Sequence, residues 1–421
     1  MSKYHYLRLT IRNIEPLMIS DDSTSHSGQT SCKKYIPGTT IRGFVINRLS
    51  GDPDFEQMKP MLFSSDICFL NGYPVQGDSE LLPTLKGFYE NKKASGPIKN
   101  VVVDGCFDEG MKRASLGNFC AITPEHKLRF FTVQTEDSMK IRIGSEKEDQ
   151  KVFRSEALVA GYTFISYIKI KDDPSGDKNA ELRDKIKTCL TDETNPVILG
   201  NRRSQGYGKC DVTVDETEAP GYFPTIPNEG FSDHVYMILV SDLVMRNQVG
   251  EYCGLDMAAL AGKLKISASE NWQPEFCSTS QVMIHGYNAK LGIKLPTVPM
   301  YEKGSVFKLR LPGVVDKETL ETLMHEGIGE KKNEGFGRVL FLGEEYEQIC
   351  EKEKGTIALG SKGEAGSDLT DEDKRVIRSV AKNYYRNLLK KAAQKKIPEE
   401  RQSLKIAKSQ VGNVLSLLQN N

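Results

Sequence analysis

Residues 200–209, GNRRSQGYGK, and residues 329–338, GEKKNEGFGR, are written on one pattern. A glycine opens each run, two adjacent basic residues follow, and a glycine-aromatic-glycine triplet leads into a further basic residue. In the first run these are Arg202, Arg203, Tyr207 and Lys209, with Gln205 before the triplet. In the second they are Lys331, Lys332, Phe336 and Arg338, with Asn333 between. The flanks match as well. AELRDKIKTCL (180–190) carries Leu182, Ile186 and Leu190 at helical spacing, and KETLETLMHE (317–326) reads as its counterpart. Ahead of these helices, TFISYIKIK (163–171) and SVFKLRLP (305–312) read as strands. KCDVTVD and RVLFLG read as strands after the loops. Strand, helix, glycine loop, strand therefore occurs twice, an internal repeat.

The repeat predicts an α+β chain of two ferredoxin-like halves, each a split βαβ unit. Between them ETEAPGYFPTIPNEGFSD (216–233) is rich in Pro and Gly and reads as a linker. The second half opens on HVYMILVSDLVM as a strand and LDMAALAGKL as a short helix. The first half opens on the strand YHYLRLTIRNIEPLMI (4–19), and SDDSTSHSGQTS reads as a flexible polar loop. Pro37-Gly38 is a turn, and Thr39 or Thr40 can cap a helix whose apolar face is Ile41, Phe44, Val45 and Leu49. Residues 51–150 read as a large irregular insertion with short strand-like runs, MLFSSDICFL, NVVVDG, KLRFFTVQ and KIRIG. Residues 351–369 read as a polar, glycine-rich linker. Thr370 with Asp371, Glu372 and Asp373 is a helix-start signature. Two apolar stripes follow, Ile377, Val380, Tyr384 and Leu388, then Leu404, Ala407, Val411, Val414, Leu415 and Leu418. The expected organisation is 1–228, 229–350 and 351–421, the last a linker and basic helical hairpin.

Charge supports an anionic partner although the net is zero, from 57 basic and 57 acidic residues. The charge is segregated. Residues 33–48 hold Lys33, Lys34, Arg42 and Arg48 without an acid, and 374–408 hold twelve Lys or Arg against Glu399 and Glu400. No apolar run reaches membrane-spanning length, and the start lacks a signal-peptide core. Nine scattered cysteines without a CxxC pair read as reduced thiols in a cytoplasm and give no spacing for zinc.

Known phosphate motifs fit the glycine loops poorly. GYGKC lacks both the spacing of a Walker A loop and the Ser/Thr after its lysine. Gly206-Tyr207-Gly208 runs into a strand and lacks the third glycine of a dinucleotide fingerprint. Glycines also serve simple hairpins. Two matched loops with clustered cations point instead to anion binding, since glycine lets backbone N–H groups approach and arginine forks onto phosphate. The aromatic either stacks on an unpaired base or packs beneath the loop. The stretch SCKKYIPGTTIRGF (31–44) adds Lys33, Lys34 and Arg42 around a helix start whose free N–H groups face an anion.

These residues resemble the RAMP superfamily of CRISPR proteins: IPGTTIRG its N-terminal turn-helix, GNRRSQGYG and GIGEKKNEGFGRV its glycine loops. FRSEALVAGYTFISYI and LPTVPMYEKGSVFKL also look like its strands. Over about 4–50 and 150–343 the chain most resembles the RAMP subunit of type III-D effectors, the cyanobacterial-type group. The resemblance implies two ferredoxin-like (RRM-like) domains, the first with a large insertion. It implies a non-catalytic cytoplasmic, prokaryotic RNA-binding subunit that holds the 5′ repeat-derived handle of the guide RNA. Its partners would be a large polymerase-like subunit, backbone RAMP subunits and, indirectly, target RNA, in antiviral defence. Carried over by motif, Lys33, Lys34, Thr39, Thr40 and Arg42 form the RNA-facing turn. Arg202, Arg203, Gln205 and Tyr207 form the first loop, and Lys331, Lys332, Asn333, Phe336 and Arg338 the second. Some relatives carry paired cysteines in the insertion; Cys68, Cys106 and Cys120 depart from that pattern, so neither a metal nor another cofactor is expected. Two catalytic alternatives stand beside the scaffold. His26 near Lys33, Lys34 and Tyr35 is a set for metal-independent guide-RNA processing, and Asp21 or Asp22 with a metal is a set for target-RNA cutting.

Overall fold

The computed structural model describes residues 4–26, 29–92, 97–142, 151–171, 178–267, 269, 271–288 and 292–360, with scattered positions between 375 and 389. The first half runs β1 (Tyr4–Asn13), β2 (Ser20–His26), β3 (Gln29–Cys32), α1 (Gly38–Leu49), α2 (Phe55–Phe63) and β4 (Ile67–Phe69). After the rest of the insertion come β5 (Thr135–Arg142), β6 (Lys151–Leu158), β7 (Thr163–Lys171), α3 (Lys178–Thr191) and β8 (Lys209–Thr217). The central strands lie in the order β8-β1-β7-β4, all antiparallel. The second half runs β9 (His234–Leu239), α4 (Met257–Leu264), β10 (Phe276–Ser278), β11 (Gln281–Asn288), β12 (Ile293–Tyr301), β13 (Val306–Arg310), α5 (Lys317–Glu326) and β14 (Val339–Leu342). Its sheet is β10-β13-β9-β14, again antiparallel. Each half is thus strand, helix, strand, strand, helix, strand, with chain order 1-2-3-4 becoming spatial order 4-1-3-2.

The repeat extends to individual hydrogen bonds. Asn13 N–H donates to Tyr162 and Gly161 N–H donates to Asn13; in the second half Leu239 donates to Ser305 and Gly304 to Leu239. The antiparallel pair β5–β6 before β7 is matched by the antiparallel pair β11–β12 before β13. Alternation in β1 places Leu7, Leu9 and Ile11 on the face covered by α1 and α3, within one continuous apolar core that also takes in the second half. Tyr4 and Tyr6 point to the other face, where they join Cys68, Leu70, Ile165 and Tyr167. That face is covered: Tyr6 Oη lies 2.8 Å from His325 Nδ1, and the Tyr4 ring stacks on His325 at 5.0 Å. Tyr4 and Tyr6 are therefore not open to stack on a base.

Four local expectations are corrected. The start of α1 is not capped by Thr39 or Thr40; Pro37 is the N-cap residue, and Gly38 N–H donates to Asn71 Oδ1 at 2.9 Å. Residues 20–26 and 29–32 form the antiparallel strands β2 and β3 instead of a loop, and β3 also pairs in parallel with β6. Val101–Asp104 is one helical turn rather than strand-like, since Asn100 Oδ1 accepts from Val102 and Gly105 closes it at φ +64°. Glu351–Lys354 is a strand paired in parallel with Lys127–Phe131, so the expected linker begins inside a sheet. By contrast α1 and α3 bury the faces their periodicity predicted, α5 forms over the predicted helix 317–326, and Asp316 caps it through a 2.8 Å bond from Thr319 N–H. Residues 363–421 form a second compact unit. Its described positions are helical, with Tyr384 and Tyr385 exposed. Most of the two expected stripes lies outside the described residues.

Candidate nucleic-acid interface

The two glycine loops have the same backbone. Arg202 and Lys331 both adopt left-handed geometry, φ +56° and +54°, and a 3-10 turn follows each. Gly208 (φ +92°) and Gly337 (φ +69°) close the loops. A Cβ there would fall 2.0 Å from Leu199 O and 1.8 Å from Ile328 O, so only glycine fits. Leu199 N–H bonds Gly208 O and Ile328 N–H bonds Gly337 O, each at 2.8 Å. The loops are pinned alike to the segments that follow β1 and β9, Asn201 N–H to Met18 O and Glu330 N–H to Val244 O. A basic residue is therefore held in a strained conformation at the same point twice.

Their electrostatics differ. Arg203, Gln205 and Lys209 are exposed, and Arg202 and Tyr207 half-buried. Arg203 Nε donates to Gly200 O, one Arg202 guanidinium nitrogen is buried without a partner, and no ion pair joins Arg202, Arg203 or Lys209 to a described carboxylate. In the second loop Lys331 and Arg42 flank Glu334, at 3.8 and 3.9 Å. Lys332 is pushed down from its ordinary pKa by burial, with Lys263 and Arg338 adding to it. Asn333 donates to Phe63 O. Arg338 is 4% exposed and donates to the carbonyls of His325 and Lys332, which makes it an internal tie of the loop rather than a surface cation.

The N-terminal turn meets the second loop, not the first. Gly38 and Gly335 both press on Phe69 O, where a Cβ would come within 1.9 and 2.6 Å. Between them lies a cleft of about 370 Å³ whose walls include Lys33, Thr39, Arg42, Lys331 and Phe336. Thr40 sits half-buried behind it, its N–H bonded to Pro37 O. Burial pushes the Arg42 guanidinium down from its ordinary pKa, and Glu334 partly restores it. Arg42 also lies 4.6 Å over the half-exposed Phe63 ring. Lys33 pairs with Asp21 at 3.3 Å and Lys34 with Glu156 at 2.5 Å.

A second cavity of about 490 Å³ shares Lys33 and Tyr35 with this cleft. It adds Lys34, Lys86, Arg113 and Lys303 against Asp21, Glu156 and Glu302. Lys86 pairs with Glu302 at 2.5 Å, and Lys303 lies 4.6 Å over the Tyr35 ring. Lys86, Arg113 and Lys303 carried no sequence signal, because two sit in the irregular insertion and the third follows a strand of the other half. Among the described residues no group of His, Cys, Asp and Glu is placed to hold a metal, and no helix is long and apolar enough to cross a membrane. His26 closes β2, and its ring lies outside the described side chains. Asp21 borders the cavity through its pairing with Lys33.

No family model and no curated protein matches this chain. Among solved structures, it is similar to a chain of the Type III-B Cmr-beta complex bound to cognate target RNA and AMPPnP, with TM-score 0.37 and 12% identity over 72% of this chain and 86% of that one. It is similar to a chain of the Csm3-Csm4 subcomplex of a type III-A CRISPR-Cas interference complex, with TM-score 0.33 and 12% identity over 74% and 95%. It is also similar to a CRISPR associated protein Cas6, with TM-score 0.33 and 10% identity over 81% and 100%.

Proposed function

We propose that the chain is a non-catalytic RNA-binding subunit of a type III CRISPR effector, of the type III-D kind. In this reading it holds the 5′ repeat-derived handle of the guide RNA and joins a large polymerase-like subunit to backbone RAMP subunits. Residues 1–228 and 229–350 are its two ferredoxin-like domains, and the doubled 4-1-3-2 strand order supports them. The observation that carries the function is the pair of glycine loops with one backbone, each presenting basic residues from a strained turn. Packing accounts for the glycines at Gly208 and Gly337; the support for a ligand is that the left-handed position holds a cation, Arg202 or Lys331, in both loops. Of the two, the first loop, whose cations pair with no described carboxylate, makes the stronger phosphate contact, because none of those carboxylates has to be displaced. With Tyr4 and Tyr6 covered, RNA is directed to the loops and the cleft.

The reading is tested by tagging the protein in its host, purifying it at moderate salt, and sequencing the RNA and identifying the proteins that accompany it. RNAs sharing one repeat-derived 5′ end, together with a large subunit and RAMP subunits, are the expected result. RNA-free protein, or random RNA without partners, overturns it.

A further inference from the structure

We infer that the 490 Å³ cavity takes a single nucleotide, its base on the apolar floor and its phosphate at the basic rim. The volume falls in the range of about 300–1,000 Å³ typical of small-ligand sites. The floor is apolar and buried: Tyr35, Leu85 and Phe119 are 7%, 3% and 2% exposed. Charge is unequal around it, five cations against three carboxylates. Among those cations Arg113 is exposed and makes no ion pair with a described residue, so it is free to meet a phosphate. The excess of two positive charges matches a phosphate group. The walls come from the turn at 31–35, the insertion at 83–88 and 113–119, and Glu302-Lys303 of the second half, with Asp21 and Glu156 beside them. The insertion thereby acquires a task that its sequence did not announce.

The occupant is either a free mononucleotide or one nucleotide of a bound strand, and only the second rests on the RNA-binding reading. Two arms separate them. In the first, AMP, CMP, GMP and UMP are titrated into the intact chain by calorimetry. In the second, 2-aminopurine is placed at successive positions of a single-stranded RNA and its fluorescence is read on binding. Leu116→Trp fills the cavity and Arg113→Glu reverses its rim; melting temperatures confirm that each variant folds. The expected result is binding of a mononucleotide, or a position-specific fluorescence change, that both substitutions weaken at least tenfold. A mononucleotide signal alone assigns a free ligand, and a position-specific signal assigns the strand. Neither signal, or signals that both folded variants retain, overturns the inference. RNA affinity of the intact chain, measured separately, shows whether the RNA-binding reading has failed as well.

Discussion

Replacing His325 with Phe tests how the C-terminal end of α5 is held against the first sheet. The ring is wedged among Tyr4, Tyr6 and Phe223, with Lys169, Arg338 and Glu326 as its charged neighbours. Burial first, then Lys169 and Arg338, push its pKa down from 6.5 to about 4. A folded pKa below the unfolded value means that the unfolded chain takes up a proton first. Stability is therefore intact above about pH 6.5 and is lost as the pH falls towards 4. Two and a half units correspond to about 3 kcal/mol. The ring keeps part of its edge in water, which roughly halves the loss to about 1.5 kcal/mol. His325→Phe keeps the stacking but cannot be protonated, and it leaves the Tyr6 hydroxyl without its partner. The variant loses roughly 1–2 kcal/mol at pH 7.5, and its further loss down to pH 4.5 is smaller than the wild type's by about 1.5 kcal/mol. Urea unfolding followed by the fluorescence of the single tryptophan, Trp272, reads both quantities. Stability curves for wild type and variant that stay parallel from pH 7.5 to 4.5 refute the reasoning.

Gly337→Ala forces a Cβ to 1.8 Å from Ile328 O at a positive φ, and is expected to cost well over 2 kcal/mol in urea unfolding. Gly206→Ala meets open space at φ +79° and costs only about 1 kcal/mol, so near-equal losses contradict the loop geometry. Asp316→Ala removes the cap of α5 and lowers stability by about 1 kcal/mol, while Thr39→Ala, which caps nothing, changes it by less than about 0.5 kcal/mol. A larger loss for Thr39→Ala means that the start of α1 is held differently.

Periodic segments were legible in the sequence. The stripe Leu182, Ile186, Leu190 and the alternation of β1 report burial along one element, and burial of that kind is local information. The loop repeat was legible because glycine is required wherever a carbonyl comes within 2 Å of the Cβ position. What escaped depends on partners far along the chain. The helix start at Gly38 uses the side chain of Asn71, which no local pattern connects to it. Glu351–Lys354 becomes a strand only because Lys127–Phe131 lies beside it. Of the predicted site residues, the structure gathers Lys33, Thr39, Arg42, Lys331 and Phe336 around one cleft and leaves 200–209 against the segment that follows β1. Arg338 matched the pattern of Lys209 in sequence, yet it is buried where Lys209 is exposed.

The most direct test of the account is the affinity of the purified chain for single-stranded guide RNA across a salt series, for wild type and Arg202→Ala/Arg203→Ala. Each lost phosphate contact on a single strand reduces the slope of log K against log salt by about 0.7. The account predicts weaker binding with a slope flattened by about 1.4, at unchanged melting temperature. An unchanged affinity and slope in the folded double variant would contradict it.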